Sequence, residues 1–432
     1  MAKTLMAVDA GTGSVRAVLF SLEGEQLGCV QQEWTHKEDP RYPGSMDFDW
    51  VHNWELARGC IRGVIEQTGV DPKDIAAVST TCMREGIVLY NKDGQEIWAC
   101  ANVDARSDDE VAQLVHMNPE LEKQIYRESG QTYALGALPR LFWVKNKMPE
   151  IYEKTAVCTM FNDWLIYKMT GVFSSEPSNA CTTGIFDLKA RDWDDKIAAS
   201  IGLKTGIFPK ISECGTIVAK VGAKGAAETG LAEGTPVVAG GGDAQLGCVG
   251  VGVVDANQAA IFGGSFWQYE YNTDEAKTDE HCRVRVNCHS VPGIWQYEAL
   301  AFKPGMVMRW YRDAFCQYEK ELSKTTGRDP YDLMNEKAKD IPAGCYGMMC
   351  AFSDVMNYIS WRHASPMFIN FDFDPDKFNR YTFYRAIMEN TAMVTYGHMQ
   401  LVRESTGNIP KEVVFASGAS KSELWCQILA DV

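Results

Sequence analysis

The sequence predicts an α/β protein built from two similar domains that face each other across an interdomain cleft. With 432 residues, the chain is longer than a single hydrophobic core normally serves. An opening run of strands is repeated from residue 258 onwards, and a strand–glycine–helix segment at 236–246 is repeated at 412–422. We therefore expect domains at 1–250 and 251–432, with a ligand in the cleft, since clefts between domains are favoured binding sites.

The composition narrows the class of ligand. The net charge of −15 argues against nucleic acid, because proteins that bind it usually carry a basic face. No apolar run is long enough to span a bilayer, and a strand begins within the first ten residues, where a signal peptide would stand. The fourteen cysteines are scattered and form no Cys-x-x-Cys motif, which is typical of reduced thiols. We expect a cytoplasmic protein that binds a small molecule, with no membrane partner.

The first domain opens with a three-stranded meander. Apolar strands are predicted at Leu5–Asp9 and Val15–Phe20, followed by a third at Gln26–Trp34. The turn between the first two contains glycines and the hydroxyls of Thr12 and Ser14, and such a loop can hold phosphate oxygens, although an ordinary hairpin has the same pattern. Asp9, at the end of a buried strand, offers carboxylate oxygens, which are the hard ligands that a hydrated Mg²⁺ binds.

Two polar clusters follow later strands. Arg84 and Glu85 lie between strands predicted at Ile75–Thr81 and Ile87–Tyr90. A second cluster, at 102–106, follows a strand that ends near residue 101. Adjacent charges at a strand end form a local ion pair or face a ligand. Together they offer donors and acceptors to a polyol, so a sugar-like substrate is the functional interpretation.

The stretch Pro236–Gly247 is central to the sequence. Three apolar residues end a predicted strand, three glycines form a predicted turn, and Asp243 begins a predicted helix. Asp is a preferred helix cap, so capping alone explains its presence. The functional alternative is a carboxylate on an open glycine shelf, well placed to accept a proton from a bound hydroxyl.

The second domain repeats this order. A strand at Gln258–Phe262, a turn at Gly263–Ser265 and a returning strand at Phe266–Tyr271 match the opening meander. Glu412–Ser422 then matches the strand, glycine turn and helix start of the central stretch. This pattern is an internal duplication of a domain rather than a solenoid of short repeats.

These residues resemble the FGGY family of carbohydrate kinases. The resemblance implies a duplicated actin-like, ribonuclease-H-like ATPase fold that uses ATP and Mg²⁺. It extends from Asp9 to Val432, and the motifs that carry it are Asp9-x-Gly-Thr-x-Ser-x-Arg16, Arg84-Glu85, Asn102-x-Asp-x-Arg106, Gly242-Asp243, Gly263-Gly-Ser265, Gly305 with Arg309-Trp310, and Ser417-Gly-Ala-Ser-Lys-Ser422 before Trp425.

The resemblance also implies roles for individual residues. Asp243 is the expected catalytic base, and Asp9 and Asp243 are the expected Mg²⁺ ligands, mainly through water. Substrate oxygens are expected at Arg84, Glu85, Asn102, Asp104 and Gln245. The expected ATP contacts are Gly11, Thr12, Ser14, Arg16, Gly263, Gly264, Ser265, Gly305, Arg309, Gly418, Ala419 and Ser422.

Within the family, further stretches resemble the members that phosphorylate the terminal hydroxyl of 4,5-dihydroxypentane-2,3-dione, a quorum-sensing signal. They are Met83–Tyr90, Ile97–Arg106, Asp243–Cys248, Gly263–Gln268 and Met308–Cys316. Asn102 stands where many sugar kinases have Trp or Gln, which favours a smaller polar substrate. That group implies a phosphocarrier protein as regulator, and a homodimer is also expected. Family members continue past the equivalent of Val432, so we expect a second domain that is truncated at its C-terminus.

Three other functions stay open at this point. The first is another FGGY kinase, acting on xylulose, ribulose, glycerol or an aldonate. The second is an ATP-dependent sensor without phosphoryl transfer, since one fold serves many functions. The third is a phosphohydrolase, which would need a water-positioning residue near Asp243 that the sequence does not identify. The presence of Asp243 favours a kinase over the sensor.

Overall fold

The chain forms two compact units. The computed structural model describes residues 3–134, 136–355 and 365–432. The first unit comprises Met1–Gly250 and Val286–Trp295, and the second comprises Val251–Arg285 and Gln296–Val432. The chain thus leaves the first unit at residue 250 and returns to it for the ten residues Val286–Trp295, a return that the sequence pattern did not predict.

The first unit alternates strands and helices. Its strands are β1 (Thr4–Ala10), β2 (Ser14–Ser21), β3 (Gln26–Glu33), β4 (Ile75–Cys82), β5 (Ile87–Tyr90), β6 (Glu96–Cys100), β7 (Val157–Thr159), β8 (Phe186–Asp187), β9 (Asp192–Trp193), β10 (Ile217–Lys220) and β11 (Pro236–Gly242). Its helices are α1 (Trp50–Thr68), α2 (Asp108–Met117), α3 (Leu121–Ser129), α4 (Ala137–Lys147), α5 (Pro149–Lys154), α6 (Phe161–Thr170), α7 (Pro177–Ala180), α8 (Asp195–Ser200), α9 (Ala223–Thr229) and α10 (Asp243–Gly250).

The main sheet of this unit has the strand order β10-β11-β4-β1-β2-β3. β1 and β11 both run parallel to β4, one on each side of it. Asp9 of β1 and Gly241 of β11 are both opposite Thr81 of β4. The carboxyl ends of three parallel strands therefore meet at one edge of the sheet, where ligands of α/β proteins commonly bind.

Helix α1 covers one face of this sheet. It begins after Asp49, whose side chain accepts a hydrogen bond from the His52 N–H, and ends at Gly69, which adopts a left-handed φ of 66°. Its buried positions include Ala57, Ile61 and Val64, which belong to the hydrophobic core shared with β1, β2 and β4. Burial of this face against the strands fixes the sheet beneath it.

The three glycines of the central stretch are part of β11, so the predicted glycine turn is wrong. β11 continues through Gly242, and α10 follows directly at Asp243. A Cβ on Gly240 would lie 1.5 Å from the Thr80 carbonyl oxygen, and one on Gly242 would lie 2.9 Å from Cδ of Arg84. The glycines are needed because the β4 backbone and the Arg84 side chain that follows it approach the β11 backbone closely, rather than because the chain turns.

The second unit has a shorter set of strands and longer helices. Its strands are β12 (Ala259–Gly263), β13 (Trp267–Thr273), β15 (Trp295–Phe302), β16 (Met349–Ala351), β17 (Met367–Ile369) and β18 (Val413–Ala416), and β14 (Arg285–Cys288) lies mostly in the segment that returns to the first unit. The helices are α11 (Pro304–Phe315), α12 (Gln317–Thr326), α13 (Pro330–Ala338), α14 (Arg380–Thr406) and α15 (Glu423–Asp431).

The second unit repeats the central part of the first. β12 pairs antiparallel with β13 and parallel with β18, as β1 pairs with β2 and β4. β18 therefore has the sheet position of β4, although the sequence matched it to β11. The match was wrong because a strand, a turn and a helix start do not specify which strand lies alongside.

None of the helices in the described part of the chain is long and apolar enough to cross a membrane.

The contact between β11 and β4 can be tested with Gly240→Ala. We expect a loss of more than about 3 kcal/mol in the free energy of unfolding, because the added methyl group meets a backbone oxygen and the two strands must separate. Urea unfolding followed by circular dichroism measures this change.

Gly59→Ala is the matched control. Gly59 lies within α1, and an added Cβ meets nothing within 4 Å. This substitution should stabilise the protein by roughly 0.5–1 kcal/mol through helix propensity. Equal effects of the two substitutions would contradict the close approach of β11 to β4.

Candidate active site

Three of the predicted functional segments lie at the carboxyl edge of the main sheet. Asp9 is the penultimate residue of β1, Arg84 and Glu85 follow β4, and Asp243 follows β11. Because these strands are adjacent and parallel, their ends bring the three segments together from positions far apart in the sequence.

The Asp243 carboxylate is partly exposed to solvent, although protein atoms surround much of it. Its side chain is 50% exposed, and its Oδ1 lies 3.4 Å from Nε of Arg84, which is almost fully buried. Desolvation by the surrounding protein raises the pKa of Asp243 to about 6, the attraction of Arg84 opposes this rise, and repulsion from Glu85 and Asp9 adds to it. A carboxylate with this pKa is a better proton acceptor than an ordinary aspartate.

The backbone in front of Asp243 is held by buried side chains. The Gly242 N–H donates to Oγ of Ser178 at 2.9 Å. The Ser178 hydroxyl donates in turn to Glu176 at 2.6 Å, and Glu176 also accepts the N–H groups of Ser178 and Asn179. Burial raises the pKa of Glu176, but these donors favour its ionised form. This network fixes the point at which β11 passes into α10.

Asp9 is paired across the first hairpin. Nε of Arg16 donates to its carboxylate at 2.8 Å, and Arg16 is about half exposed. Burial raises the pKa of Asp9, and the charge and hydrogen bond of Arg16 oppose the rise. The expected Mg²⁺ ligand and an expected phosphate contact therefore form an ion pair with each other in this structure.

The loop at 11–14 is fixed by an indole and an imidazole. Nε1 of Trp34 donates to the carbonyls of Gly11 and Thr12, and Nε2 of His36 lies 2.8 Å from the Thr12 carbonyl. Burial lowers the pKa of His36, which favours the neutral ring, and the hydrogen bond to Thr12 opposes this shift. These hydrogen bonds to the Gly11 and Thr12 carbonyls hold the loop at 11–14 in one conformation.

Asn102 links the second polar cluster to this loop. Its Nδ2 donates to Oγ1 of Thr12 at 3.0 Å. Its Oδ1 is buried and has no hydrogen-bond partner within the residues that the structure describes. A buried acceptor without a partner is costly, so this oxygen is suited to a donor on a ligand.

Asp104 and Arg106 bind other groups of the protein. The Asp104 carboxylate is fully buried, accepts the Met46 N–H at 2.6 Å and pairs with Arg106 at 2.6 Å. The Arg106 guanidinium lies over the rings of Trp98 and Trp143, at 5.2 and 4.9 Å from their centroids. The expected direct contact of Asp104 with substrate does not fit this arrangement, because its oxygens already bind protein groups.

Gln245 and Glu85 are also enclosed. Gln245 has no exposed surface, and Glu85 is 6% exposed. Glu85 adopts a left-handed backbone with φ of 67°, which is unusual for a residue with a side chain. Of the predicted substrate contacts, Asn102 is thus the one whose side chain is partly exposed in this state, while Arg84 borders the open carboxylate of Asp243.

The second unit contains a separate cavity of about 580 Å³. Eight residues expected to contact ATP line it together: Gly263, Gly264, Ser265, Gly305, Arg309, Gly418, Ala419 and Ser422. A Cβ on Gly305 would lie 1.9 Å from the Gly264 carbonyl oxygen, so glycine is needed where α11 begins against the turn after β12.

Sequence reasoning missed much of this cavity. The wall includes three aromatic rings, two cations and two carboxylates to which the sequence analysis gave no role in ATP binding. The residues missed are Met308, Arg312, Asp329, Tyr331, Asp332, Asn335, Tyr384, Lys421 and Trp425. The Tyr384 hydroxyl donates to Oδ1 of Asn335 at 3.0 Å, which orients that amide. These residues come from α11, α13, α14 and α15 and from the segments just before α13 and α15, and only folding brings them together.

The match to known proteins decides the family. The model of the FGGY family of carbohydrate kinases, N-terminal domain, matches residues 4–250, and the model of the C-terminal domain matches residues 267–432. The chain belongs to the FGGY family of carbohydrate kinases. Members of this family transfer a phosphoryl group from ATP to a hydroxyl of a small sugar-like molecule, so the chain is an ATP-dependent carbohydrate kinase.

Relatives that match almost the whole chain agree with this assignment. The chain is 48% identical to an autoinducer-2 kinase of Escherichia coli K12, over 99% of the chain and 81% of the relative. It is 47% identical to an autoinducer-2 kinase of Photorhabdus laumondii, over 100% of the chain and 81% of the relative. Among solved structures, xylulose kinase from Rhodospirillum rubrum matches with a TM-score of 0.85 at 22% identity, over 99% of this chain and 84% of that one.

The fold prediction is therefore confirmed. The chain has the two-domain α/β fold of FGGY kinases, which is an actin-like ATPase fold. The structural similarity, at 22% sequence identity, supports the fold alone.

The charges around Asp243 can be tested through its pKa. Arg84→Met should raise the pKa of Asp243 above about 6, because it removes an attraction that favours the carboxylate. Glu85→Gln should lower this pKa, because it removes a repulsion. Carbon-13 NMR titration of the aspartate carboxyl carbons without metal measures both, with Asp243→Asn to identify the resonance. Shifts of the same sign in both variants would contradict the arrangement.

Proposed function

We propose that this kinase phosphorylates the terminal hydroxyl of 4,5-dihydroxypentane-2,3-dione, the open-chain form of autoinducer-2, with Mg-ATP as donor. The observation that carries the proposal is the half-exposed Asp243 carboxylate with a raised pKa, which a hydroxyl can approach. The names of relatives that are 47–48% identical over almost the whole chain support this substrate.

Asp243 would act as the general base. It would accept the proton of the terminal hydroxyl while the hydroxyl oxygen forms a bond with the γ-phosphorus of ATP. The bond between the γ-phosphorus and the bridging oxygen breaks, and ADP leaves with that electron pair. Arg84 would hold Asp243 in place, since its Nε lies 3.4 Å from Oδ1.

The acidic pair at the sheet edge fits a hydrated Mg²⁺. Asp9 and Asp243 are close enough for the charge of Asp9 to raise the pKa of Asp243, and both offer hard oxygen ligands. When bound, Mg²⁺ supplies positive charge that neutralises the phosphate oxygens. Asp9 would have to exchange its ion pair with Arg16 for this interaction, which would free the Arg16 guanidinium for phosphate.

Recognition of a small substrate would depend on few groups. The Oδ1 of Asn102 would accept a hydrogen bond from a substrate hydroxyl, because it is a buried acceptor without a protein partner in the described residues. Arg84 and Glu85 would contact further oxygens. We revise the role of Asp104, which would act indirectly by holding Arg106. Gln245, which has no exposed surface, stays a predicted substrate contact.

The cavity of the second unit would hold the nucleoside of ATP. Its glycines allow close approach of a purine, and Tyr331, Tyr384 and Trp425 supply apolar and aromatic surface. Gly263, Gly264 and Ser265 stay predicted phosphate contacts of this unit, and Thr12, Ser14 and Arg16 stay predicted phosphate contacts of the first. The cytoplasm, with its ATP and reduced thiols, is the proposed compartment, since all fourteen cysteines are free. The phosphocarrier regulator and the homodimer stay predictions from the family resemblance.

The acceptor can be tested by ADP release. Purified protein with Mg-ATP should turn over dihydroxypentanedione with a kcat/KM at least about tenfold above that for xylulose, ribulose, glycerol or gluconate. Mass spectrometry of the product should show one added phosphoryl group. Preference for one of the sugars would replace the proposed substrate and keep the kinase, whereas ADP release without a phosphorylated acceptor would argue for a hydrolase.

The role of Asp243 can be tested with Asp243→Asn. We expect kcat to fall by at least ~10²-fold, because the amide cannot accept the proton. ATP affinity, measured by calorimetry, should change little. Asp255→Asn, at an exposed aspartate of the second unit, is the control and should keep wild-type turnover. An Asp243→Asn enzyme with unchanged kcat would refute the role as base.

A further inference from the structure

We infer that Arg140 is a positioning residue that sets the geometry of the acceptor site by binding both substrate segments at once. Arg140 lies on α4 and is 1% exposed. Its Nη1 donates to the Glu85 carbonyl, and its Nη2 donates to the carbonyls of Asn102 and Asp104 at 2.6 and 2.9 Å. This inference rests on the proposed function, because it concerns the acceptor that this site would bind.

The two segments lie at the open end of one β-hairpin. Glu85 lies two residues before β5, Asn102 lies two residues after β6, and β5 pairs antiparallel with β6 so that Ile87 is opposite Cys100. Arg140 is on a third element, a helix that follows both segments in the sequence. The strand pairing ends at Ile87 and Cys100, and one guanidinium joins the two backbones beyond that point.

The geometry of the contacts requires a guanidinium. Three carbonyls accept from two nitrogens of one planar group, and a lysine ammonium on a flexible stem cannot reproduce that fork. All three acceptors are backbone carbonyls, which carry only partial negative charge. Burial of an arginine on such acceptors is expensive, and an apolar side chain of similar volume would often serve stability as well. The cost is explained if the relative position of the two segments matters.

The strained backbone at Glu85 supports the same conclusion. Its φ of 67° is disfavoured for a residue with a Cβ, and Arg140 binds the carbonyl of this residue. The following Gly86 is packed so that a Cβ would lie 2.1 Å from the Phe161 ring. Arg140 and Phe161 thus both pack against the turn after β4, and this turn also carries Arg84.

Arg140 would set the position of the groups around the substrate and would not supply charge to the reacting atoms. Arg140 binds backbone atoms only, so it would act through Glu85 and Asn102 rather than on the substrate. Loss of this residue should displace the acceptor relative to Asp243 and leave the cavity of the second unit unchanged. Displacements near 1 Å can lower turnover by ~10²-fold.

The test compares Arg140→Met, Arg140→Lys and Leu141→Ala. Leu141 is the next residue on α4, is 1% exposed and belongs to the hydrophobic core of that region, so its truncation destabilises the same helix without touching the three carbonyls. We expect both Arg140 variants to lose about 10²-fold in kcat/KM for the acceptor while KM for ATP changes less than about twofold. Leu141→Ala should show a lower melting temperature with near wild-type kcat/KM.

Hydrogen exchange gives a readout that does not depend on activity. The amides of Gly86 and Ala105 are hydrogen-bonded to the Arg84 carbonyl and the Gly44 carbonyl, at 2.9 and 2.8 Å, and report on the two segments separately. In Arg140→Met, both should exchange at least about tenfold faster, whereas Leu141→Ala should not change them together.

The two measurements distinguish the inference from the proposed function. If wild-type protein phosphorylates none of the acceptors, the proposed function fails, and the exchange rates still decide the role of Arg140. If Arg140→Met behaves like Leu141→Ala in exchange, or keeps wild-type kcat/KM in an active enzyme, Arg140 is a structural residue only and the inference is overturned.

Discussion

The close packing of β11 against β4 is the constraint on which the candidate site depends. A Cβ at Gly240 would overlap the Thr80 carbonyl, and the side chain of Arg84 fills the space that a Cβ at Gly242 would need. These contacts set the distance between the ends of the two strands, and therefore between Arg84 and Asp243. Ser178 and Glu176 support the other side of the same backbone through the Gly242 N–H. The backbone that carries Asp243 into α10 is therefore fixed, as the proposed role of Asp243 as a base requires.

The electrostatics of the site follow from this packing. Desolvation, which the crowded strand ends produce, raises the pKa of Asp243, and Glu85 and Asp9 raise it further. Arg84 is the one counteracting charge among the causes of this shift, and its burial strengthens its effect because little water screens it. The resulting pKa of about 6 leaves Asp243 ionised at neutral pH yet basic enough to accept a proton. A group with a lower pKa would be ionised but a weaker base.

The sequence was informative where a pattern is local. Alternating apolar runs and small-residue turns predicted β1, β2, β4 and β12 within one or two residues, and the motif at Asp9–Arg16 indicated the family. It was uninformative where folding brings distant residues together. The glycines of β11 look like a turn, because a glycine needed for close strand contact and one needed for a positive φ are identical in a sequence. Asp104 looked like a ligand contact for the same reason: nothing local shows that Arg106 and the Met46 N–H already bind its oxygens.

The difference between Asn102 and Asp104 shows how such a site is built in layers. Both follow β6 and both are polar, yet the Asp104 carboxylate is fully paired inside the protein, while Oδ1 of Asn102 lacks a partner within the described residues. The inner layer, Asp104 with Arg106 and Arg140 with its three carbonyls, satisfies its own hydrogen bonds and so holds one geometry in the absence of ligand. The outer layer keeps an unsatisfied atom, whose desolvation cost a substrate hydroxyl can relieve. Under the proposed function, specificity would belong to the outer layer and rigidity to the inner one, so a change of substrate would require replacement of residues such as Asn102 while Arg140 stays.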